Sequence, residues 1–267
     1  MKIIRFESET SEILYGTEYY GDTIEILAGD LLTGLQSTGK RINIKKILAP
    51  ISPVIILGVG LNYYDHAKEI GMEPPMFPVL FIKNPSSITN PNDPIIVPNI
   101  CSNPPEVDYE AELAVIIGKT AKNVPEEEAL SHVLGYTVAN DVTARRWQGK
   151  KGAGQWCLSK SFDTFCPLGP VIVTADEISN PQELGISCIH RGETVQKANT
   201  SDMIFPVSKL ISFFSSVMTI LPGTVILTGT PAGVGFSTKP PRYLEHGDSV
   251  SVKIEKIGEL TNPVIAE

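Results

Sequence analysis

Three acidic residues lie inside an otherwise apolar stretch of this chain, V-D-Y-E-A-E-L-A-V-I-I at residues 107–117. The stretch predicts a β-strand, on which Glu110 and Glu112 would share one face about 6.5–7 Å apart. Carboxylates at that spacing can hold a hard divalent cation, which prefers oxygen ligands. Ala114 and Ile116 continue the face, so it should be buried. A carboxylate entering a core needs a cation, a hydrogen-bonding partner or a shifted pKa.

Spacing alone leaves the metal site and its ligands open. Glu106 and Asp108 fall on the same face of the predicted strand as Glu110 and Glu112. An edge strand that is protected from aggregation by charge would give the same pattern. The pattern therefore predicts a candidate metal site without fixing which carboxylates bind the ion.

The composition is typical of a soluble globular enzyme or binding protein. The chain has 267 residues, of which 42% are hydrophobic, so it can form one large domain or two small ones. Its net charge of −8 argues against nucleic acid as a partner, because no basic surface would repay the phosphate charge. No run of about 18 apolar residues exists, which argues against a membrane-spanning helix.

Cysteine and histidine spacing argues against zinc sites. The four cysteines have no C-x-x-C spacing, and the four histidines are too scattered for an H-E-x-x-H helix. So few cysteines fit a reduced intracellular compartment. The first residues resemble neither a secretory signal nor a mitochondrial transit segment. We expect a cytoplasmic protein, or a mitochondrial one if a presequence precedes this chain.

Short strands and frequent turns predict an α+β, β-rich fold rather than a doubly wound sheet. Residues 1–50 hold three strand-like pieces punctuated by glycines, which predicts a small N-terminal β-rich module before a catalytic domain at 51–267. Nine prolines between positions 74 and 105 exclude a long helix there. Helices are predicted after Pro125, ended by Gly135, and at 207–218.

The glycine-rich stretches do not match nucleotide-binding motifs. Gly58-Val59-Gly60 has Tyr63 where a dinucleotide fingerprint needs its third glycine. The stretch at 229–235 lacks the Lys-Ser/Thr ending of a P-loop. It could offer backbone N–H groups to an anion, or it could be an ordinary tight turn.

Six segments in order along residues 54–255 resemble the fumarylacetoacetate hydrolase superfamily. They are G-L-N-Y-Y-D-H at 60–66, L-F-I-K at 80–83, V-D-Y-E-A-E-L at 107–113, N-D-V-T-A-R at 140–145, S-K-S-F-D at 159–163 and L-T-G-T-P-A-G-V-G at 227–235. One such segment is weak, but six in order are specific. Residues 160–170 are most similar to the branch of fumarylacetoacetate hydrolase domain-containing protein 2.

The resemblance implies a β-roll catalytic domain, an N-terminal β-rich module and a homodimer. It also implies Mg²⁺, with Mn²⁺ or Ca²⁺ as alternatives, held by Glu110, Glu112 and Asp141. Asp108 is then a neighbour within the motif rather than a ligand. Three carboxylates would leave open positions on an octahedral ion for substrate oxygens and water.

The resemblance also assigns catalytic roles to His66, Glu69 and Lys160. His66 and Glu69 are spaced i, i+3 and can touch on one helix face. Such a pair alone is usually an exposed helix pair, whereas the family has a matching pair on a mobile lid that activates water. Glu69 would orient His66, and His66 would take a proton from water or substrate. Lys160 would add a cation near the substrate oxygens.

Four further positions are assigned to substrate binding by the resemblance: Lys83, Arg145, Gln148 and Thr230. Arg145 and Gln148 lie one helical turn apart, and either could instead be a buried structural hydrogen-bonding residue. Thr230 matches a residue near the substrate carboxylate.

The implied function is a divalent-metal-dependent reaction of short 2-oxo or β-diketo acids, which proceeds through an enolate stabilised by the ion. Our leading hypothesis is hydrolysis of a C–C bond, as in an acylpyruvate. The alternatives are an oxaloacetate tautomerase or decarboxylase, and a hydroxymuconate-type isomerase. A non-catalytic binding protein on the same fold is also considered, although the presence of all the ligands with His66, Glu69 and Lys160 argues against it.

Overall fold

Strands form most of the protein. The computed structural model describes residues 1–267, apart from the side chain of Glu18. The strands are β1 (Lys2–Ser8), β2 (Ile13–Tyr20), β3 (Thr23–Asp30), β4 (Gly34–Ile47), β5 (Ile56–Gly60), β6 (Val79–Lys83), β7 (Ile88–Thr89), β8 (Ile95–Val97), β9 (Val107–Asp108), β10 (Ala111–Ile117), β11 (Val133–Asn140), β12 (Thr143–Ala144), β13 (Cys166–Thr174), β14 (Gly185–His190), β15 (Glu193–Asn199), β16 (Val225–Leu227), β17 (Ser249–Ile254) and β18 (Gly258–Ala266). The α-helices are α1 (Tyr64–Glu69), α2 (Arg145–Gln148), α3 (Trp156–Lys160) and α4 (Val207–Val217).

One large sheet runs through both halves of the chain. Its strand order is β2-β3-β4-β1-β13-β11-β10-β16-β5-β6, with β7 paired to β13 at one side. The antiparallel pairing of β1 with β13 joins the N-terminal strands to the rest of the sheet. A second sheet, β15-β14-β17-β18-β8, packs against β10 and β11. This β-rich architecture confirms the predicted fold class.

Strand β10 lies at the centre of the protein, and every one of its residues is buried. Leu113 and Val115 belong to the larger apolar cluster, whereas Ala114 and Ile116 face the smaller cluster, which includes residues of the N-terminal strands. The prediction that the face beyond Glu112 is buried is therefore confirmed. No helix in the described part of the chain is both long and apolar enough to cross a membrane.

The strand predicted at 107–117 is two strands, because the chain changes partners at Tyr109 and Glu110. Strand β9 pairs with β12, whereas β10 pairs with β11. Alternation along one strand therefore does not relate Asp108 to Glu112, and the two carboxylates have different partners. The sequence could not show this break, because its hydrophobic pattern continues through it.

The helix predicted after Pro125 is a 3-10 helix, Glu126–His132, and it ends before Gly135. Gly135 lies inside β11 rather than after a helix. A Cβ atom at this position would lie 2.4 Å from the carbonyl oxygen of Val173 on the neighbouring strand β13. The glycine is therefore required by close strand approach and not by helix termination.

We expect Gly135→Ala to destabilise the protein by about 1–3 kcal/mol, as overpacking in a core does. Chemical denaturation measures this change in the free energy of unfolding. Gly185→Ala is the matched control, because Gly185 also lies in a strand but a Cβ there would meet its nearest atom at an ordinary 3.5 Å. Equal stability of the two variants would contradict the steric explanation.

Candidate active site

Three carboxylates meet where β10 begins and β11 ends. Glu110, Glu112 and Asp141 each offer an oxygen, and these oxygens lie within 4.8 Å of one another. The backbone fixes this meeting point: the Asp141 N–H donates to the carbonyl of Glu110 at 2.9 Å, and the Glu110 N–H donates to the Asn140 side chain at 3.0 Å. The structure thus brings together the three predicted metal ligands.

The electrostatics of this cluster fit a divalent cation. Burial raises the pKa of Glu112 well above its usual range, and the charges of Asp141 and Glu110 add to the effect. The only hydrogen bond to the Glu112 carboxylate among the described residues comes from the Gly229 N–H at 2.7 Å. Glu112 is therefore a buried carboxylate with one hydrogen-bond donor and no cationic side chain bound to it in the described part of the chain. Carboxylate oxygens of this type are suitable ligands for Mg²⁺, Mn²⁺ or Ca²⁺.

Glu110 is compensated better than Glu112. Burial disfavours its charge, but Lys160 and Arg145 outweigh that effect and lower the pKa of Glu110 below its usual range. Lys160 Nζ donates to Glu110 Oε2 at 2.7 Å, and Arg145 Nη1 lies 2.7 Å from Glu110 Oε1. Glu110 is therefore an anion under physiological conditions.

Lys160 is a buried cation at the centre of the cluster. It donates to Glu110 and to Asp141, and its Nζ lies 4.9 Å from the centre of the Phe81 ring. Burial disfavours its charge, but Asp141 and Glu110 raise the pKa of Lys160 above its usual value. An ammonium group has three donors, so one remains for a ligand in the adjoining cavity.

Lys83 lies behind the cluster. Its ammonium group is fully buried and donates to the Asp141 carboxylate and to the backbone carbonyls of Val142 and Phe165. All three donors are used by protein oxygens, and Lys83 is absent from the wall of the cavity. Its geometry favours a role in holding Asp141, and the predicted contact with substrate stays a prediction.

The segment before α1 anchors the helix that carries His66. Asn62 is buried and donates to the carbonyls of Phe205 and Thr228, while its own oxygen accepts from the Phe205 N–H. Leu61 adopts a left-handed conformation with φ of 52° just before this anchor. These contacts fix the start of the helix against the body of the protein.

His66 and Glu69 form the predicted pair on α1. His66 Nδ1 lies 3.0 Å from Glu69 Oε2. Glu69 Oε1 also accepts from the Gly233 N–H at 2.9 Å and from Ser237 Oγ at 2.6 Å. Burial raises the pKa of Glu69, but the hydrogen bonds from His66, Ser237 and Gly233 outweigh it and leave the pKa below its usual range. Glu69 is thus an anion that can orient the imidazole.

Arg145 is held by Asp108, which sequence reasoning set aside as a motif neighbour. The Asp108 carboxylate accepts from Arg145 Nε at 2.8 Å, from the Gly235 N–H at 2.8 Å and from the Phe236 N–H at 3.0 Å. Arg145 also lies over the Phe236 ring and donates from Nη1 to Gln148 Oε1 at 3.0 Å. The one clue in the sequence was an unexplained acid two residues before Glu110.

The glycine-rich loop after β16 binds carboxylates of the protein itself. Backbone N–H groups of Gly229, Gly233 and Gly235 donate to Glu112, Glu69 and Asp108 respectively. Gly229 has φ of +95°, and a Cβ there would lie 2.7 Å from Asn62 Cβ. The loop therefore does offer N–H groups to anions, as one of the two open alternatives proposed, and these anions are internal.

A cavity of about 560 Å³ opens above the carboxylate cluster. Six of the ten predicted site residues line it: His66, Glu110, Arg145, Gln148, Lys160 and Thr230. Glu69, Lys83, Glu112 and Asp141 are not part of that wall, although Glu69 contacts His66 and Asp141 contacts Lys160. The remaining wall is mainly apolar and includes Val59, Leu61, Ile70, Met72, Val79, Trp156 and Phe236. A small ligand would thus contact charged and polar side chains on one part of the wall and apolar side chains on the rest.

A family model described as "Fumarylacetoacetate (FAA) hydrolase C-terminal" matches residues 55–265. The chain belongs to this family. A second model, described as "Rv2993c-like, N-terminal", matches residues 1–50. The family assignment predicted from six sequence segments is therefore confirmed.

Similar proteins come from animals and bacteria. An oxaloacetate tautomerase fahd2 of Xenopus laevis, named as mitochondrial, is 48% identical over 92% of this chain and 76% of its own length. The human oxaloacetate tautomerase FAHD2A, also named as mitochondrial, is 47% identical over 82% of this chain and 69% of its own. These relatives confirm the predicted branch of the family.

Solved structures share the whole fold. One titled 2-hydroxyhepta-2,4-diene-1,7-dioate isomerase from Mycobacterium marinum has a TM-score of 0.85 and 38% identity, over 100% of this chain and 99% of that one. One titled fumarylacetoacetate hydrolase from Exiguobacterium antarcticum has the same TM-score and identity, with both chains fully covered. The names of the relatives do not confirm C–C hydrolysis as the main activity, and they fit the alternative of tautomerase or isomerase better.

We expect Mg²⁺ to raise the melting temperature, because an ion that binds only the folded state stabilises it by about 2.7 kcal/mol at a concentration of 100 Kd. Differential scanning fluorimetry with Mg²⁺ and then EDTA measures the shift. Glu112→Gln should abolish the shift without loss of the fold. Glu193→Gln is the control, since Glu193 is the exposed first residue of β15 and is not part of the carboxylate cluster. A full shift in Glu112→Gln would contradict the metal assignment.

Proposed function

We propose that this protein is a divalent-metal-dependent tautomerase that interconverts the keto and enol forms of oxaloacetate. The observation that carries the proposal is the His66–Glu69 pair beside the carboxylate cluster. Glu69 accepts the Nδ1 proton of His66, which leaves Nε2 as the ring nitrogen that can exchange a proton. The described residues offer Nε2 no hydrogen bond, and His66 lines the cavity.

In the proposed reaction, His66 moves one proton. Nε2 takes the C3 proton of the keto acid, and the electron pair of that C–H bond forms the C2–C3 double bond of an enolate. His66, now a cation paired with Glu69, returns the proton to the C2 oxygen and gives the enol. No water attacks and no C–C bond breaks. His66 accepts one proton from C3 and donates one proton to the C2 oxygen, so the reaction is balanced.

The cations of the site would stabilise the charge that develops on oxygen. Glu110, Glu112 and Asp141 would hold the divalent ion, which when bound supplies positive charge to the 2-oxo and carboxylate oxygens. Lys160 has one donor left for the same oxygens, and Arg145 and Gln148 line the wall beside it. These charges are already in place before the substrate arrives, so little reorganisation is needed during the reaction.

Hydrolysis of a C–C bond, our leading hypothesis from the sequence, becomes the second candidate. It needs a water molecule between His66 and the distal carbonyl, and the structure titled fumarylacetoacetate hydrolase supports keeping it. The relatives named oxaloacetate tautomerase, at 46–48% identity, favour the tautomerase. Decarboxylation and hydroxymuconate-type isomerisation use the same enolate and are outcomes of the same experiment. The cytoplasmic location stays a prediction, since several relatives are named as mitochondrial.

The test follows oxaloacetate and acetylpyruvate by ultraviolet absorbance with Mg²⁺ and then with EDTA, and identifies the products by NMR. Rapid enol–keto conversion of oxaloacetate without pyruvate or CO₂ supports the tautomerase. Acetate and pyruvate from acetylpyruvate would support the hydrolase instead. Mg²⁺ binding without conversion of either compound would contradict both and favour a binding protein.

We expect His66→Ala to lower kcat by about 10²–10⁴-fold, the usual contribution of a general base. Glu69→Gln should lower kcat less, because the imidazole remains but loses its anionic partner. Stopped-flow absorbance with oxaloacetate measures both rates. His132→Ala is the control, since the His132 ring hydrogen-bonds the Lys119 carbonyl and does not line the cavity. A variant lacking His66 that retained the full rate would remove the general-base assignment.

We further propose a homodimer, as the family resemblance implies. Strand β6 is the last strand of the large sheet, and Val79 and Ile82 on it are exposed. Sedimentation velocity should then give a species of twice the 29.0 kDa of one chain. A single species with the mass of one chain at all concentrations would contradict this proposal.

A further inference from the structure

Gln196 connects the carboxylate cluster with the glycine-rich loop, yet it belongs to none of the six family segments. It lies on β15 and is 1% exposed. Its Oε1 accepts from the Ala111 N–H at 2.9 Å, between the two glutamates of the cluster. Its Nε2 donates to the Pro231 carbonyl at 2.8 Å and to Thr230 Oγ1 at 2.8 Å.

The partners of this amide leave it only one orientation. The Ala111 N–H can only donate, so it must face the amide oxygen of Gln196. The Pro231 carbonyl can only accept, so it must face the amide nitrogen. A flipped amide would place two donors against each other and two acceptors against each other in a buried site, at the cost of unsatisfied polar groups.

This orientation decides what the Thr230 hydroxyl can do. Because Nε2 of Gln196 has no lone pair to offer, Thr230 Oγ1 can only accept from it. The proton of Thr230 is therefore not used in this contact and remains available to another acceptor. Thr230 is 5% exposed and lines the cavity, and its hydroxyl donates to none of the described residues, so a ligand in the cavity can accept this proton.

We propose that Gln196 is a positioning residue that fixes the Thr230 hydroxyl as a hydrogen-bond donor to a carboxylate of the substrate. This inference rests on the proposed function and specifies how the cavity recognises a 2-oxo acid. The site then prefers an acceptor at this position, and a ligand with an ammonium group in place of the carboxylate meets a donor facing a donor.

The amide of Gln148, in the same cavity, is also held in one orientation by its partner. Arg145 Nη1 donates to Gln148 Oε1 at 3.0 Å, and an arginine can only donate. The amide nitrogen of Gln148 is therefore directed away from Arg145 and is available to a ligand. Two neutral side chains are thus each fixed as donors by a partner with a single hydrogen-bonding role, beside the cations Arg145 and Lys160. Together they favour an anionic ligand with acceptor oxygens.

The first experiment tests the Thr230 hydroxyl itself. Thr230→Val should raise KM for oxaloacetate about ten- to a hundredfold, with a much smaller change in kcat, because a bond to a charged group is lost. Thr230→Ser keeps the hydroxyl and should restore KM to near the wild-type value. Equal KM values for the two variants would overturn the donor role.

The second experiment tests Gln196 acting through Thr230. Gln196→Glu keeps the acceptor for the Ala111 N–H, but its second oxygen takes the Thr230 proton and leaves the Pro231 carbonyl without a donor, so KM should rise about as much as in Thr230→Val. In the double variant Gln196→Glu/Thr230→Val, KM should be no higher than in Thr230→Val alone, since residues that act as one unit are not additive. Effects that multiply would overturn the proposal.

Controls separate positioning from damage to the fold or to the metal site. Gln182→Glu is the matched control, because Gln182 also joins two backbone groups through its amide, the Thr200 carbonyl and the Val207 N–H. It should leave KM unchanged. The Mg²⁺-induced shift in melting temperature should be the same in Gln196→Glu as in the wild type. If Gln196→Glu does not fold, Gln196→Met, which frees the hydroxyl to rotate, should give a smaller rise in KM.

Calorimetric binding of oxalate in the presence of Mg²⁺ distinguishes failure of this inference from failure of the proposed function. If the wild type binds oxalate but does not convert oxaloacetate, the proposed function fails, and the Kd values of the same variants still test Gln196. We expect Kd to follow the pattern given for KM. Wild-type Kd and KM values in Gln196→Glu would overturn the inference while leaving the proposed function intact.

Discussion

Three carboxylates buried within 4.8 Å of one another are the constraint on which the rest of this structure depends. Without nearby positive charge, such a cluster would protonate or unfold the site. Lys160 and Lys83 supply two charges beside the cluster, and Arg145, which Asp108 shares, supplies a third. Glu112 nevertheless keeps a raised pKa. The site thus has less cationic charge than its carboxylates require, and a divalent ion held by them would supply the difference.

The second constraint is how a β-rich protein holds these charges without long helices. The answer is the glycine-rich loop after β16, whose N–H groups bind Glu112, Glu69 and Asp108 in turn. One short segment therefore orients a metal ligand, the partner of His66 and the residue that holds Arg145. Because these carboxylates lie on three different elements, α1, β9 and β10, a shift of the loop would disturb the carboxylate cluster, α1 and the wall of the cavity together.

The sequence predicted the composition of the site better than its geometry. The family resemblance singled out the three carboxylates and the His66–Glu69 pair, which the structure brings together, because each belongs to a local motif. Asp108 and Gln196 were missed as functional residues, since their roles arise from contacts with loops distant in sequence. The same limit explains the errors in the fold: Gly135 was interpreted as the end of a helix, whereas the close approach of β13 requires it.

Tautomerisation and C–C hydrolysis on this fold differ by a water molecule rather than by a different set of charged residues. Both need a base at His66 and positive charge at the substrate oxygens, and the structure provides both. Hydrolysis also needs room for water beside the distal carbonyl. The apolar part of the cavity wall includes Ile70 and Met72, which follow α1, and it offers water few partners. An apolar wall disfavours a water molecule beside the distal carbonyl, so His66 returns the proton to the C2 oxygen of the enolate instead, which favours the tautomerase.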